Sequence, residues 1–140
     1  MRVVVDTNVF VSAILTPTGP PAQILDLILT RQITLLLSPS ILTEYQEVLK
    51  RKKIGLKNEK VEDFLEFVRA YAENISDVTP KISLPDPEDL PFLACALEGK
   101  ADFLITGNKK DFPDSICRPV KVVSPAAFLI VFSETRRELS

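Results

Sequence analysis

The chain reads as an α/β protein built on a parallel sheet with helices on both faces, and three observations predict this class. Short, mostly apolar runs recur at residues 2–5, 33–37, 103–105 and 120–123, as expected of buried strands. Helical spacing of apolar residues fills the intervals between them. Carboxylates stand close to where apolar runs end, which is where sheets of this kind gather their ligands, beyond the carboxyl ends of the strands.

Residues 2–5 form the first strand and run into Asp6-Thr7-Asn8. A short helix over 9–15 stops before the breaker cluster Thr16-Pro17-Thr18-Gly19-Pro20-Pro21. Residues 22–30 are helical again, with Ile24, Leu25, Ile28 and Leu29 on one face, and lead to the second strand at 33–37. Ser38-Pro39 then starts a third helix, because serine caps free amides and proline fits the first helical position without losing a hydrogen bond. Ile41, Leu42, Tyr45, Val48 and Leu49 make its buried face. Glu44 falls beside Val48 at the border of that arc, where a partly buried carboxylate needs a partner, whereas Glu47 faces solvent.

Asn58 is expected to cap a long helix extending to Ala72 that serves mainly as scaffold. Residues 77–86 are loop-like with room for a short strand, and Asp86-Pro87-Glu88-Asp89-Leu90-Pro91 opens a helix that ends at Glu98-Gly99. The strand at 103–105 ends in Thr106-Gly107-Asn108, and the strand at 120–123 precedes a helix over 125–132. No repeat, low-complexity tract or linker interrupts this order. A chain of 140 residues, 46% hydrophobic, builds one core, so a single domain over 1–140 is expected.

Composition narrows the chemistry. With no histidine the chain cannot build a Ser-His-Asp triad, a Cys-His pair or a histidine-containing zinc site. A net charge of −2 gives no general attraction for nucleic acid, so any such binding needs a local basic patch or bridging cations. Lys50-Arg51-Lys52-Lys53 with Lys57 is the best patch, and Lys109-Lys110 is a second; a solvated helix end and a polar turn account for them equally well. Cys95 and Cys117 are the only cysteines, and no secretory leader is read ahead of the first strand, so a reduced, cytoplasmic protein is expected. No apolar run approaches the ~20 residues that span a bilayer, so no membrane role is expected.

Asp6, Glu44, Asp89 and Asp111 are the candidate catalytic and metal-binding residues. Clustered carboxylates are hard oxygen ligands suited to Mg²⁺ or Mn²⁺, and a pair of such ions can activate water and stabilise the leaving oxygen of a phosphodiester. Each acid also has an ordinary account: Asp6 ends a strand, Asp89 or Asp86 caps a helix, Glu44 pairs with a cation, Asp111 begins a turn. Their joint placement favours one site, with Asp6 and Asp111 following strands and Glu44 and Asp89 in the first turns of helices on the same side. Thr7, Asn8, Thr106 and Asn108 are neutral groups able to orient carboxylates, water or phosphate. Gly107 either lets the backbone approach a ligand or makes a plain turn.

Asp6-Thr7-Asn8, Glu44, Asp86-Pro87-Glu88-Asp89 with Pro91-Phe92-Leu93-Ala94-Cys95-Ala96, and Ala101-Asp102-Phe103-Leu104-Ile105-Thr106-Gly107 together resemble the PIN domain family, above all its prokaryotic single-domain, VapC-like members, the toxin components of toxin–antitoxin pairs. The resemblance spans nearly the whole chain. It implies a Rossmann-like sheet of about five parallel strands, a Mg²⁺- or Mn²⁺-dependent ribonuclease acting on an RNA substrate, a cognate antitoxin and a homodimer. By position, Asp6, Glu44 and Asp89 match the first three acids of the family and Asp111 the fourth. Many members carry Asp directly after Thr-Gly, where this chain has Asn108, whose amide oxygen can coordinate without bringing charge. The strength of a second metal position is thereby left open, with Asp111 and, from an outer position, Asp86 as the neighbouring acids.

Two other classes compete. A phosphotransferase or receiver-like domain working through an aspartyl phosphate commonly needs a second acid two residues after the first, and that position holds Asn8. A PIN-like module that binds RNA or protein after losing metal affinity is kept open by Asn108.

Overall fold

In the computed structural model, which describes residues 1–139, five parallel strands form one sheet: β1 (Arg2–Val5), β2 (Thr34–Leu37), β3 (Glu73–Asn74), β4 (Phe103–Ile105) and β5 (Lys121–Val123). Their order across the sheet is β3-β2-β1-β4-β5. Among the described residues the helices are α1 (Thr7–Leu15), α2 (Pro20–Leu29), α3 (Pro39–Leu49), α4 (Asn58–Tyr71), α5 (Leu90–Glu98), α6 (Asp114–Cys117) and α7 (Pro125–Leu139).

The chain steps one way from β1 to β3 and then crosses back to β4 and β5. Right-handed crossovers therefore place α1 to α4 on one face and α5 on the other. Side chains on β2 agree with this. Leu35 borders a hollow lined by Phe67 and Val68 of α4, while the next residue, Leu36, meets Gly99 at the end of α5. A Cβ on Gly99 would stand 2.8 Å from Leu36 Cδ1 and 3.0 Å from Ile75 Cδ1, so the end of α5 seats against β2 only because a side chain is missing there. Val3, Val4, Val5, Leu35, Leu36, Leu37, Leu104 and Ile105 are all buried, which explains why these strands are uniformly apolar. The direction of winding reverses between β1 and β4, and that switch point opens a crevice at their carboxyl ends.

Where the structure departs from the sequence reading, the cause is local. β3 comes at Glu73–Asn74, ahead of the loop in which a strand had room, and both its side chains are exposed, so no apolar pattern marks it. Backbone pairing with β2 makes it, continued by the Ile75 amide donating to the Leu37 carbonyl at 2.7 Å. Asn58 opens α4 as its first residue and Lys57 holds the cap position, so Asn58 is not the cap. Helix α7 continues past residue 132 through Glu134, Thr135, Arg136 and Arg137, where the apolar spacing stops but nothing breaks a helix. Ile28 is buried, and the partly exposed Phe64 packs on the core with its ring centroid 5.0 Å from that of Phe10.

Candidate active site

The local chain path delivers four acids to the crevice from four places. Asp6 is the residue after β1, and its amide donates to the Ile105 carbonyl at 2.9 Å, which fixes the end of β1 against β4. Ser38 caps α3 by accepting from the Ile41 amide at 3.3 Å, and Pro39 takes the first helical position. Glu44 then stands in the second turn of α3 rather than the first, on the stripe that it shares with Val48. Asp89 closes a 3-10 turn, Pro87–Asp89, directly ahead of α5. Asp111 closes another, Lys109–Asp111, so it lies beyond the end of β4 rather than on it.

These four acids line one cleft of about 270 Å³ together with Thr7, Asn8, Val48, Arg51, Asp86, Glu88, Phe92 and Asn108. Thr106 lies beneath it, fully buried. Asp6, Thr7, Asn8, Glu44, Asp86, Asp89, Asn108 and Asp111 thus line this cleft, and Thr106 supports Asp6 from below. Gly107 has open space where a Cβ would stand, so no neighbouring protein atom requires glycine there.

Hydroxyl groups hold the two innermost acids. Thr106 Oγ1 donates to Asp6 Oδ2 at 2.8 Å and accepts from the Asn108 amide at 3.1 Å, tying β1 to the turn after β4. Thr7 Oγ1 donates to Glu44 Oε2 at 2.6 Å, so the partner that this half-buried carboxylate needs is a hydroxyl and not a cation. Asp86 serves its own turn, accepting from the Glu88 amide at 2.9 Å. Beneath the site the buried Tyr45 donates its hydroxyl to the Val5 carbonyl at 2.6 Å and packs edge-on against Phe10. The apolar spacing placed Tyr45 in the core, but no sequence signal assigned it this hold on the end of β1.

Electrostatically the cleft is strained. Six carboxyl groups line it, from Asp6, Glu44, Asp86, Glu88, Asp89 and Asp111, and none joins an ion pair among the described residues. Burial pushes the Asp6 carboxyl above its ordinary value; the Thr106 hydroxyl and the amides of Asn8 and Thr7 pull it back, while the charge of Glu44 adds to the rise. Asp89 is pushed up to about 7, first by burial and then by the charges of Asp6, Asp86, Asp111 and Glu44. Shifts of this size concentrate where chemistry is done.

As a donor set these oxygens suit a hard divalent cation, whose charge would relieve the repulsion seen at Asp89. Among the described residues no three acids or cysteines are gathered tightly enough to form a finished metal cage; the carboxylates stand on the walls of an open cleft. Lys109 turns away, its Nζ 3.8 Å from Asp114. The cysteines take no part: both are free and buried, and burial pushes the Cys95 thiol up to about 12.

A β3-β2-β1-β4-β5 parallel sheet with acids gathered beyond its carboxyl ends is a doubly wound α/β fold with its crevice at the switch point, and comparison with known proteins gives it a family. The sequence profile of the PIN domain matches residues 2–110, and the chain belongs to the PIN domain family. The uncharacterised protein MJ1680 of Methanocaldococcus jannaschii is 36% identical over 116 residues, which cover 78% of this chain and 72% of that protein. A solved structure, VapBC2 from Rickettsia felis bound to a DNA fragment from their promoter, matches with a TM-score of 0.60 over 89% of this chain and 98% of that one. At 20% identity that likeness shows the shared fold. Among the described residues no helix is long and apolar enough to cross a membrane.

Proposed function

We propose that this single PIN domain, residues 1–140, is a Mg²⁺- or Mn²⁺-dependent endoribonuclease, the toxin of a toxin–antitoxin pair. Asp6, Glu44, Asp89 and Asp111 would hold the metal and carry the catalysis. The observation behind this reading is that carboxylates from four separate elements line one cleft, where burial and then the neighbouring acids push Asp89 up to about 7. The chemistry such an ion supplies is charge neutralisation at the phosphodiester and activation of water. The protein's own part is placement. Thr106 and Thr7 orient Asp6 and Glu44, while Asn8, Asp86 and Asn108 stand around them as orienting groups. Asp89, whose carboxyl is pushed up to about 7 without metal, would release its proton on taking the ion.

Family membership supports the nuclease class, and the fold likeness to VapBC2 supports a toxin–antitoxin setting with a cognate antitoxin as partner. A cytoplasmic homodimer completes the reading. The test is to incubate the protein and its Asp6→Asn variant with labelled single-stranded RNA and Mn²⁺, Mg²⁺ or chelator, and to resolve the products on a denaturing gel. Cleavage should require the metal and fall by at least about 10³-fold in the variant, since the contribution at stake is several kcal/mol of charge stabilisation. Absence of cleavage across varied RNAs by a folded, metal-loaded protein would sink the proposal. It would favour the second reading, a PIN-like binding module, which the uncharged Asn108 in the cleft wall supports.

A further inference from the structure

The nuclease reading leaves a physical problem, because RNA is a polyanion and six carboxyl groups line the cleft it must enter. Arg51 is the one cationic side chain lining that cleft among the described residues. It follows α3 immediately after the cap residue Lys50, and its amide still donates to the Val48 carbonyl at 3.2 Å. Glu44 and Val48 share a stripe of α3, and Arg51, two residues past the end of that helix with an extended backbone, borders the same cleft. Beyond it a 3-10 turn, Lys52–Ile54, ends at Gly55, whose φ of +76° turns the chain away.

Two of the neighbouring cations are engaged elsewhere, and Lys52, Lys53, Lys57 and Lys110 do not line the cleft. Lys50 Nζ lies 2.6 Å from Glu62 and Lys109 leans toward Asp114. The Arg51 guanidinium has no hydrogen bond or ion pair among the described residues, although six carboxyl groups line the same cleft. An exposed planar donor at the outer end of an acidic cleft matches a phosphate, which it can grip with two parallel hydrogen bonds.

Resting on the nuclease reading, we propose that Arg51 binds a phosphate of single-stranded RNA flanking the scissile bond. The cleft wall along and just past α3 thereby divides two tasks, with the carboxylate of Glu44 on the helix and the phosphate grip of Arg51 beyond its end. Arg51 sets where the strand lies and leaves the chemistry to the acids.

The experiment compares the protein with Arg51→Ala and Arg51→Lys in Mn²⁺, reading KM and kcat on a labelled RNA strand over a salt series. Fluorescence anisotropy on the same RNA and calorimetric Mn²⁺ titration run alongside. Arg51→Ala should raise KM about 10-fold and change kcat by less than about 3-fold. The slope of log affinity against log salt should shrink by about 0.7, the value for one phosphate contact on a single strand. Arg51→Lys should recover the salt slope and part of KM, because it keeps the charge and loses the fork. Mn²⁺ affinity should hold or tighten, since a positive charge has left the cleft. Unchanged KM and salt slope in an active Arg51→Ala would overturn the inference while the nuclease reading stands. If the protein cuts nothing, that reading fails, and anisotropy still decides Arg51: loss of one contact's salt slope supports it, and an unchanged slope refutes it. A DNA strand of the same sequence that binds as tightly and loses as much would overturn RNA as the occupant.

Discussion

The two ends of the sheet treat charge in opposite ways. At the amino end, Arg2 pairs with Glu73 through Nε and Nη2, gives Nη1 to the Gly99 and Lys100 carbonyls, and gives its amide to Asp102 at 2.8 Å. The guanidinium is held above its ordinary value chiefly by the bond to Glu73. At the carboxyl end, acids face acids and are held by hydroxyls instead of cations, and burial followed by the charges of its neighbours pushes Asp89 up to about 7. One end closes β1, β3 and the turn before β4 together; the other keeps a repulsion that only something from outside can relieve. Conflict of this sort inside an otherwise consistent structure is what functional or strained sites characteristically carry.

The contrast is broken most sharply by removing a hydroxyl that holds an acid. Thr106→Val keeps shape but leaves the buried Asp6 without its side-chain donor and the Asn108 amide without its acceptor. Groups that orient metal ligands are worth about 10–100-fold in metal affinity or activity. Calorimetric Mn²⁺ titration and the RNA cleavage rate should both fall within that range. Thermal unfolding should show a smaller loss of about 1–3 kcal/mol for the unsatisfied buried group. A variant that binds Mn²⁺ and cuts RNA like the parent would remove Thr106 from the site.

Asp89→Asn sharpens the contrast from the other side, by deleting charge where charge is in excess. The Asp89 carboxyl keeps its proton more readily in the folded state, so its stabilising contribution is fully present below its ordinary value near 4 and is lost as pH rises through about 7. Without metal, the melting temperature of the parent should fall between pH 5 and pH 8 relative to the variant, which carries no such titration. Asp89 is partly exposed and screened, so the gain at pH 8 should be about 1 kcal/mol, or roughly 3 °C for a chain of this size. Differential scanning fluorimetry at the two pH values in chelator reads this directly. A variant less stable than its parent at pH 8 would mean that the acids are not in conflict.

How legible each end was follows from the kind of signal it sends. Strands β1, β2, β4 and β5 and the cap at Ser38 were readable, because buried strands demand mostly apolar runs and capping demands a hydroxyl before Pro39. The acids could be named from their place after those runs and from the family resemblance, and all of them line the cleft. What escaped was held by tertiary contact: β3 is two exposed polar residues recruited by backbone pairing, and the hold of Tyr45 on Val5 spans 40 residues. The helical turn assigned to Glu44 was off by one, since spacing fixes a face of a helix more firmly than a height along it. Arg51 was visible only as one member of a basic run, and nothing in the run says which member turns inward.

Arg2→Ala probes the quiet end and should have the smallest effect. Its side chain and that of Glu73 are 36% and 43% exposed, so water and salt already weaken the pair, and the loss should be no more than about 1 kcal/mol. The backbone pairing of β1 with β2 and β4 does not depend on the guanidinium, and the Arg2 amide keeps Asp102 whatever the side chain. Melting temperature should therefore drop by up to about 3 °C, and by less at high salt, where the pair is screened in the parent as well. Mn²⁺ affinity and RNA cleavage should match the parent at temperatures well below melting, because no atom of this cluster lines the acidic cleft. If Arg2→Ala instead weakened metal binding, the two ends of β1 would be coupled through the strand, and the carboxyl end could not be treated as a site whose charge balance is its own.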